Sequence, residues 1–390
     1  MPATATRAGR WVRQQAGPGG FSAFIPAPLP PAPPLRFTPE LQRLSEAAGR
    51  ALGRLEGVSA SLEPDRLLYM YVRKEAVLSS AIEGTQSTLT DLLRFEAATV
   101  PGTPVDEVRE VSRYVAALQH GIKRIRSGRL PLSLRLMREI HGVLMRGGRT
   151  GQAGDPGAGE FRRTQNWVGG TRPGNARFVP PPPHEMHAAL DNLERFLHDE
   201  YGFTAPVIKA GIAHAQFETI HPFLDGNGRV GRLLVSLLLV VDGVLSRPFL
   251  YLSLYFKEHR TDYYDALQRV RTHGAWEEWL RFYLIGVEAV ANQAADTATA
   301  LVALFTRDRA RIQALGRAAG SALRVYDVLR RRIVVSIAGV AKEARVTWPT
   351  AKATLERLGE LGMATESTGR RRDRLYAYRK QLAILDRGTQ

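Results

Sequence analysis

The stretch LLVSLLLVV, Leu233 to Val241, is apolar on nearly every side and constrains the fold more than any other part of the chain. A helix without a polar face must be enclosed, either by other helices or by lipid. Asp242 ends the run well short of the roughly 20 residues that span a bilayer. The helix is therefore expected at the centre of a soluble bundle, with no membrane partner.

Helices to enclose it are present on both sides. TPELQRLSEAAGRALGRLEG, from Thr38, carries apolar residues at helical spacing between a Thr-Pro start and a Gly stop. EPDRLLYMYVRKEAVLSSAIEG, PVDEVREVSRYVAALQHGIKRI and PLSLRLMREIHGVLMRGG read the same way. In the last, Leu134, Met137, Ile140 and His141 share one face. HEMHAALDNLERFLHDE and APVIKAGIAHAQFETI precede the apolar run, and a helical pattern from Tyr263 to Gln313 follows it. No internal repeat is visible, and the fold class is mainly α.

With 390 residues, 44% hydrophobic and 24% charged, the chain has the make-up of a globular protein of two or three domains. The absence of cysteine excludes a disulfide framework and thiolate metal sites. It fits a reducing compartment, and the first residues lack the apolar core of a secretory leader, so a cytoplasmic location is expected. The formal charge of +16 points to anionic partners: a nucleotide, a nucleic acid or an acidic protein surface.

Residues 1–36 are rich in Pro and Gly and read as an extended arm outside the core. A helical region over 37–105 and a larger, mainly helical core over 106–315 follow. Within that core the helical pattern fails from Gly154 to Pro183, where turn chemistry surrounds two short extended stretches. A β-hairpin over about 158–183 is the simplest reading. It either covers the core or pairs with an extended target segment by strand addition, and the pattern alone leaves both open. Residues 320–390 read as helix, helix, short turn, helix, then an arginine-rich hairpin carrying Arg370, Arg371, Arg372 and Arg374. That is the order of a winged helix-turn-helix, with Thr350, Lys352 and Thr354 on the presumed recognition helix. Such a module binds DNA or protein, and both remain open.

The chemistry concentrates in HPFLDGNGRVGR, His221 to Arg232. Gly226-Asn227-Gly228 leaves backbone amides unobstructed where a helix begins, and free N–H groups at the positive end of a helix form an anion nest. Arg229 and Arg232 share one helix face and can grip phosphate oxygens with forked donors. Asp225 is a hard oxygen ligand suited to Mg²⁺ shared with phosphates. His221, just before the turn, can accept a proton from an attacking hydroxyl. Together these parts suit transfer of a phosphorus-centred group from a nucleotide. His214, one helix earlier, is expected to be a packed or hydrogen-bonded core histidine.

The spacing His-Pro-Phe-x-Asp-Gly-Asn-Gly-Arg-x-x-Arg resembles the signature of the Fic family, with every fixed position present. The resemblance extends through GEFRRTQNWVGG, FVPPPP, AHAQFETI and LSLYFKEHRTDYYDAL, from about Leu67 to Val290. It implies a Fic helical bundle with a hairpin flap that holds a target protein, and AMP transfer from ATP to a Ser, Thr or Tyr hydroxyl. By position, His221 becomes the base and Asp225 the ligand of Mg²⁺ or Mn²⁺. Gly226, Asn227 and Gly228 line the anion site, and Arg229 and Arg232 hold phosphates, Arg232 the γ-phosphate. Relatives that transfer other groups depart from the pattern at the glycines or the final arginine, and this chain does not.

SSAIEG, Ser79 to Gly84, is similar to the inhibitory motif of that family, with Ser79, Glu83 and Gly84 in place. The resemblance implies that Glu83 pairs with Arg232 and keeps ATP in a non-productive pose. Two other functions stay open: removal of AMP by the same fold, and a DNA-binding regulator that uses the core as a nucleotide sensor. Self-modification, duplex DNA at the C-terminal domain and a homodimer are the remaining open partnerships.

Overall fold

Local signals place several helix starts. In the computed structural model, which describes residues 7–15, 20–60, 64–97, 105–128, 131–146, 157–198, 205–370 and 373–387, the chain forms two compact units. One unit comprises Met1–Gly53 and Arg113–Ala291, the other Arg54–Ser112 and Asn292–Gln390. In chain order the elements begin with strands β1 (Gly9–Gln14) and β2 (Phe21–Pro26) and helices α1 (Pro39–Ala60), α2 (Pro64–Ile82) and α3 (Leu89–Ala97). Next come α4 (Val105–Arg126), α5 (Leu134–Leu144), α6 (Pro183–His198), α7 (Pro206–Ile220) and α8 (Asn227–Val241). Helices α9 (Ser253–Glu258), α10 (Arg260–His273) and α11 (Trp276–Gln313) complete the helical run. The last part holds α12 (Ala319–Arg332), β3 (Val334–Ser336), α13 (Ile337–Ala344), α14 (Trp348–Glu360), β4 (Thr365–Glu366), β5 (Leu375–Ala377) and α15 (Arg379–Leu385).

The core of the first unit is the pair α7 and α8. Every α8 residue from Arg229 to Leu239 is buried, as the unbroken apolar run requires, and α7 is buried from Ala210 to Ile220. Thr38 caps α1 through its hydroxyl (Leu41 N–H, 3.2 Å), and Ser133 caps α5 (Leu136 N–H, 3.4 Å). His214 sits in the middle of α7, fully buried against Phe256, Tyr263 and Trp279. Its Nδ1–H donates to the Gly231 carbonyl on α8 (2.9 Å), and its Nε2 lies 2.9 Å from the Tyr263 hydroxyl on α10. It is a core histidine, as its sequence context suggested. No helix among the described residues is long and apolar enough to cross a membrane.

Two sequence readings need correction here. The N-terminal stretch is not an arm outside the core. β1 and β2 form an antiparallel ribbon, and Ala23 and Phe24 are buried. Phe24 donates its N–H to Val179 (2.9 Å), Asn192 brackets both backbone groups of Leu29, and Gln216 donates to the Ala27 carbonyl. These partners lie more than 150 residues away, so the Pro and Gly content masked a segment that folds only against distant side chains. The expected hairpin over about 158–183 is also not a pair of strands. Val168 and Phe178 exchange two backbone hydrogen bonds (2.8 and 3.1 Å) and form an isolated antiparallel bridge. Gly169 and Gly170 then turn into the left-handed region, and a short 3₁₀ turn at Pro173–Asn175 replaces further pairing.

In the second unit, Ser336 and Thr347 cap α13 and α14, and β3, β5 and β4 form a small antiparallel sheet in that spatial order. Glu366 holds the β4–β5 turn by accepting from Thr368 and Gly369. The Thr368 hydroxyl keeps its carboxyl below the usual carboxylate range. Arg371 and Arg372 of the basic run lie outside the described residues.

Candidate active site

The site is built where α7 stops. His221 closes that helix with φ 50° and ψ 59°, a left-handed conformation that costs a non-glycine residue about 1–2 kcal/mol. The neighbours hold it there. Arg162, 2% exposed, donates Nε to the His221 carbonyl (3.0 Å), Nη1 to Thr164 (3.2 Å), and Nη2 to the Pro181 and Ile220 carbonyls. Its own amide donates to the Pro222 carbonyl at 2.9 Å. A cation at the carbonyl end of a helix answers both the orphan acceptors and the negative end of the macrodipole. Burial draws the Arg162 pKa down to about 10, which still leaves it charged at neutral pH.

From His221 the loop is pinned at Phe223. The Asn227 side chain accepts from the Phe223 N–H and donates to its carbonyl, both at 2.8 Å, and Asn166 donates to the same carbonyl at 2.8 Å. Asn166 also reaches the His221 carbonyl at 3.3 Å. The His141 ring stacks on Phe223 with centroids 3.8 Å apart. Its Nδ1 accepts the Gly159 N–H (2.9 Å), so the proton sits on Nε2, which donates to the Asp225 carbonyl at 3.1 Å. Gly226 follows with φ 76°, and a Cβ there would lie 3.1 Å from the Met145 sulfur and 3.5 Å from the His141 ring. Conformation and space both require glycine at that position.

α8 begins at once. Arg229 and Arg232 are 5% and 3% exposed, so two guanidiniums are buried at the positive end of a helix whose first amides face the loop. Positive charge there disfavours the helix locally and favours an anion. Arg229 lies 3.4 Å from Oδ2 of Asp225, whose side chain is 62% exposed. Asp225 Oδ1 accepts from the Gly226 amide (2.6 Å). Among the described residues no group of three or more His, Asp and Glu side chains gathers around a common point. A cation at Asp225 would therefore take most of its ligands from phosphates and water, which is how Mg²⁺ is commonly held. His221 is half-buried at the edge of the loop, with Nδ1 3.4 Å from the Glu218 carbonyl. An N–H at Nδ1 serves that contact and leaves the basic lone pair on Nε2.

The loop and first turns of α8 thus carry His221, Asp225, Gly226, Asn227, Gly228, Arg229 and Arg232. Ser79, Glu83 and Gly84 belong to the second unit, where α2 ends. Ser79 is fully buried, Glu83 is exposed, and Gly84 turns the chain at φ 102°.

Family comparison agrees with this geometry. Residues 42–123 match the Fic/DOC family N-terminal model, and residues 131–239 match the Fic/DOC family model. The chain belongs to the Fic/DOC family. A protein named protein adenylyltransferase Fic from Culex quinquefasciatus is 33% identical over 208 residues, 52% of this chain and 38% of that protein. Its namesake from Aedes aegypti is 30% identical over 251 residues, 62% of this chain and 46% of that one. The chain therefore spans less than half the length of these curated relatives. Among solved structures, a Fic family protein from Desulfovibrio desulfuricans matches with a TM-score of 0.57 at 20% identity, covering 88% of this chain and 97% of that one. That likeness shows the fold.

The Fic/DOC match also encloses residues to which sequence reasoning gave no role: His141, Met145, Arg162 and Asn166. Arg162 and Asn166 stand in GEFRRTQNWVGG, where their proximity to the motif was the available signal. His141 was visible on the inner face of α5, with nothing in the spacing to tie it to Asp225.

Proposed function

We propose that this Fic protein is a protein adenylyltransferase that moves AMP from ATP to a Ser, Thr or Tyr hydroxyl of another protein. The observation that carries this reading is the short loop of residues 221–226, with an imidazole at one end and two buried arginines on the helix that follows. In the proposed reaction the α8 amides and Arg229 hold the phosphate tail, and Arg232 takes the γ-phosphate. His221 Nε2 accepts the proton as the target oxygen attacks the α-phosphorus. The bond to the bridging oxygen of the β-phosphate breaks, and pyrophosphate leaves. Mg²⁺ or Mn²⁺ on Asp225 would neutralise charge on the phosphates. Arg162 and Asn166 touch no reacting atom in this scheme; they fix the His221 carbonyl and so the direction of its ring. A target segment would lie along the loop closed by Val168 and Phe178, next to exposed Trp167. The absence of cysteine favours a cytoplasmic setting.

The test is labelling. With ATP labelled at the α-phosphate and Mg²⁺ or Mn²⁺ in cell extract, wild type is expected to label protein and His221→Ala to lose about 10²-fold or more. Label on ATP-derived products alone, with none on protein, would reject transfer. Release of AMP from an already modified protein would assign the reverse reaction instead.

The same reading takes Glu83 as a built-in inhibitor that competes with the γ-phosphate for Arg232. What supports it is the Ser79-x-x-x-Glu83-Gly84 pattern within the matched N-terminal region. Glu83→Gly is then expected to raise labelling by about tenfold or more, and equal rates would remove the inhibitory role.

The C-terminal part is read as a winged helix-turn-helix. The order α12, β3, α13, α14, β4, β5 favours it, with α13 and α14 joined by the left-handed Arg345 and both capped by hydroxyl side chains. Its surplus of basic residues favours duplex DNA as the partner.

A further inference from the structure

Within the second unit, a cleft of about 700 Å³ opens beside α3, α15 and the small sheet. Its lining includes Val334 and Ala377, neighbours in the β3–β5 register, together with Arg94 from α3, Arg379 at the start of α15 and Arg387 just past its end. Ser367 adds a hydroxyl, and Asp386 is the one carboxylate in the lining. Among the described residues none of the three arginines has a carboxylate within ion-pair distance, whereas most other arginines of the C-terminal helices do. Arg330 pairs with Asp327, and Arg331 and Arg332 share Glu343. Arg94 is half-buried and Arg379 and Arg387 are exposed, so three like charges line one void, and an anion there would satisfy their forked donors. The volume falls in the usual range for small-ligand sites, and the apolar part of the lining favours a ligand with a non-polar body.

We infer that this cleft binds a small organic phosphate, the phosphate on the arginines and its apolar part on Val334 and Ala377. The site is separate from the α8 anion nest and does not depend on the adenylyl-transfer reading.

Hydrogen exchange on the full chain tests this, with phenyl phosphate as probe and inorganic phosphate as comparison. Phenyl phosphate is expected to slow exchange in peptides covering 89–97 and 379–387 and to bind there more tightly than inorganic phosphate. Arg387→Ala, at an exposed position that leaves the fold alone, should weaken that protection about tenfold, and Arg94→Ala should do the same. Four results would overturn the inference. They are no protection of these peptides at millimolar probe, protection equally strong in both variants, inorganic phosphate acting as strongly as phenyl phosphate, or protection confined to 226–241. Protection by a DNA duplex without protection by phenyl phosphate would likewise reject the small ligand and give the cleft to nucleic acid.

Discussion

Arg162 shows how a single buried cation can fix the geometry of the candidate site. Its donors end on the carbonyls of His221, Thr164, Pro181 and Ile220, which have no other cation to serve them in the described contacts. Arg162→Met keeps the volume but removes these donors, leaving only Asn166 on the His221 carbonyl, so a loss of about 3–5 kcal/mol is expected in urea unfolding. Arg162→Lys retains the charge but lacks the fork, and should recover part of the stability while activity stays low, because His221 is no longer aimed. His214 makes the opposite case, a buried base kept neutral. Burial pulls its pKa down to about 3 from an ordinary 6.5. The folded state therefore binds fewer protons than the unfolded state between those values. The stability this histidine contributes is complete above pH 6.5 and is lost as pH falls towards 3, at up to about 1.4 kcal/mol per pH unit. Urea midpoints measured from pH 7.5 to 5 should fall accordingly. His214→Gln keeps a donor and an acceptor without titrating, and should flatten that dependence. A dependence of unchanged slope in the variant would place its origin elsewhere.

At the scale of elements, the contact between α7 and its neighbours depends on glycine. A Cβ on Gly211 would fall 2.8 Å from the ring of Tyr283 and 3.2 Å from Leu280, both fully buried. Gly211→Ala is expected to cost about 1–3 kcal/mol by forcing α11 away, read as a lower thermal midpoint. Gly231→Ala meets the end of the buried Glu218 side chain at 2.5 Å and the Phe217 ring at 3.3 Å, and should also lower the midpoint. The pattern of apolar residues made α7, α8 and most of the other helices legible in the sequence, because their burial is written in local periodicity. The ribbon was not legible, since Phe24 is buried by Val179 and Phe178, far along the chain. Helix α3 escaped notice because nine residues carry too few turns to show a period. The candidate site was legible for a different reason: the residues proposed as anion nest, base and metal ligand lie within twelve consecutive residues. Their supports, Arg162, Asn166 and His141, come from two other segments. A pair such as Arg162-Arg163 looks like a solvated surface until the fold encloses one of them.

At the scale of the whole molecule, the charge is unevenly placed. Residues 319–387 hold fifteen Lys and Arg against seven Asp and Glu, a surplus of eight that is half the +16 of the full chain. Part of that charge is neutralised locally, as Glu343 does for Arg331 and Arg332. On α14 the acidic Glu356 and Glu360 lie towards the C-terminal end, while exposed Trp348 and half-buried Lys352 lie towards the start. If this part reads DNA, the first turn of α14 enters the groove and the turn between β4 and β5, with Arg370 and Arg374, lies on the backbone. Each phosphate neutralised contributes about −0.9 to the slope of log affinity against log salt on duplex DNA. Replacing both Arg370 and Arg374 by Ala should therefore make the slope shallower by about 2 and weaken binding to all sequences alike. Trp348→Ala should leave the slope unchanged and act on sequence preference instead. Titrating a labelled duplex at several salt concentrations measures both quantities at once. A slope near zero, or one indifferent to the two arginines, would show that the basic surplus of the C-terminal module serves something other than a nucleic-acid backbone.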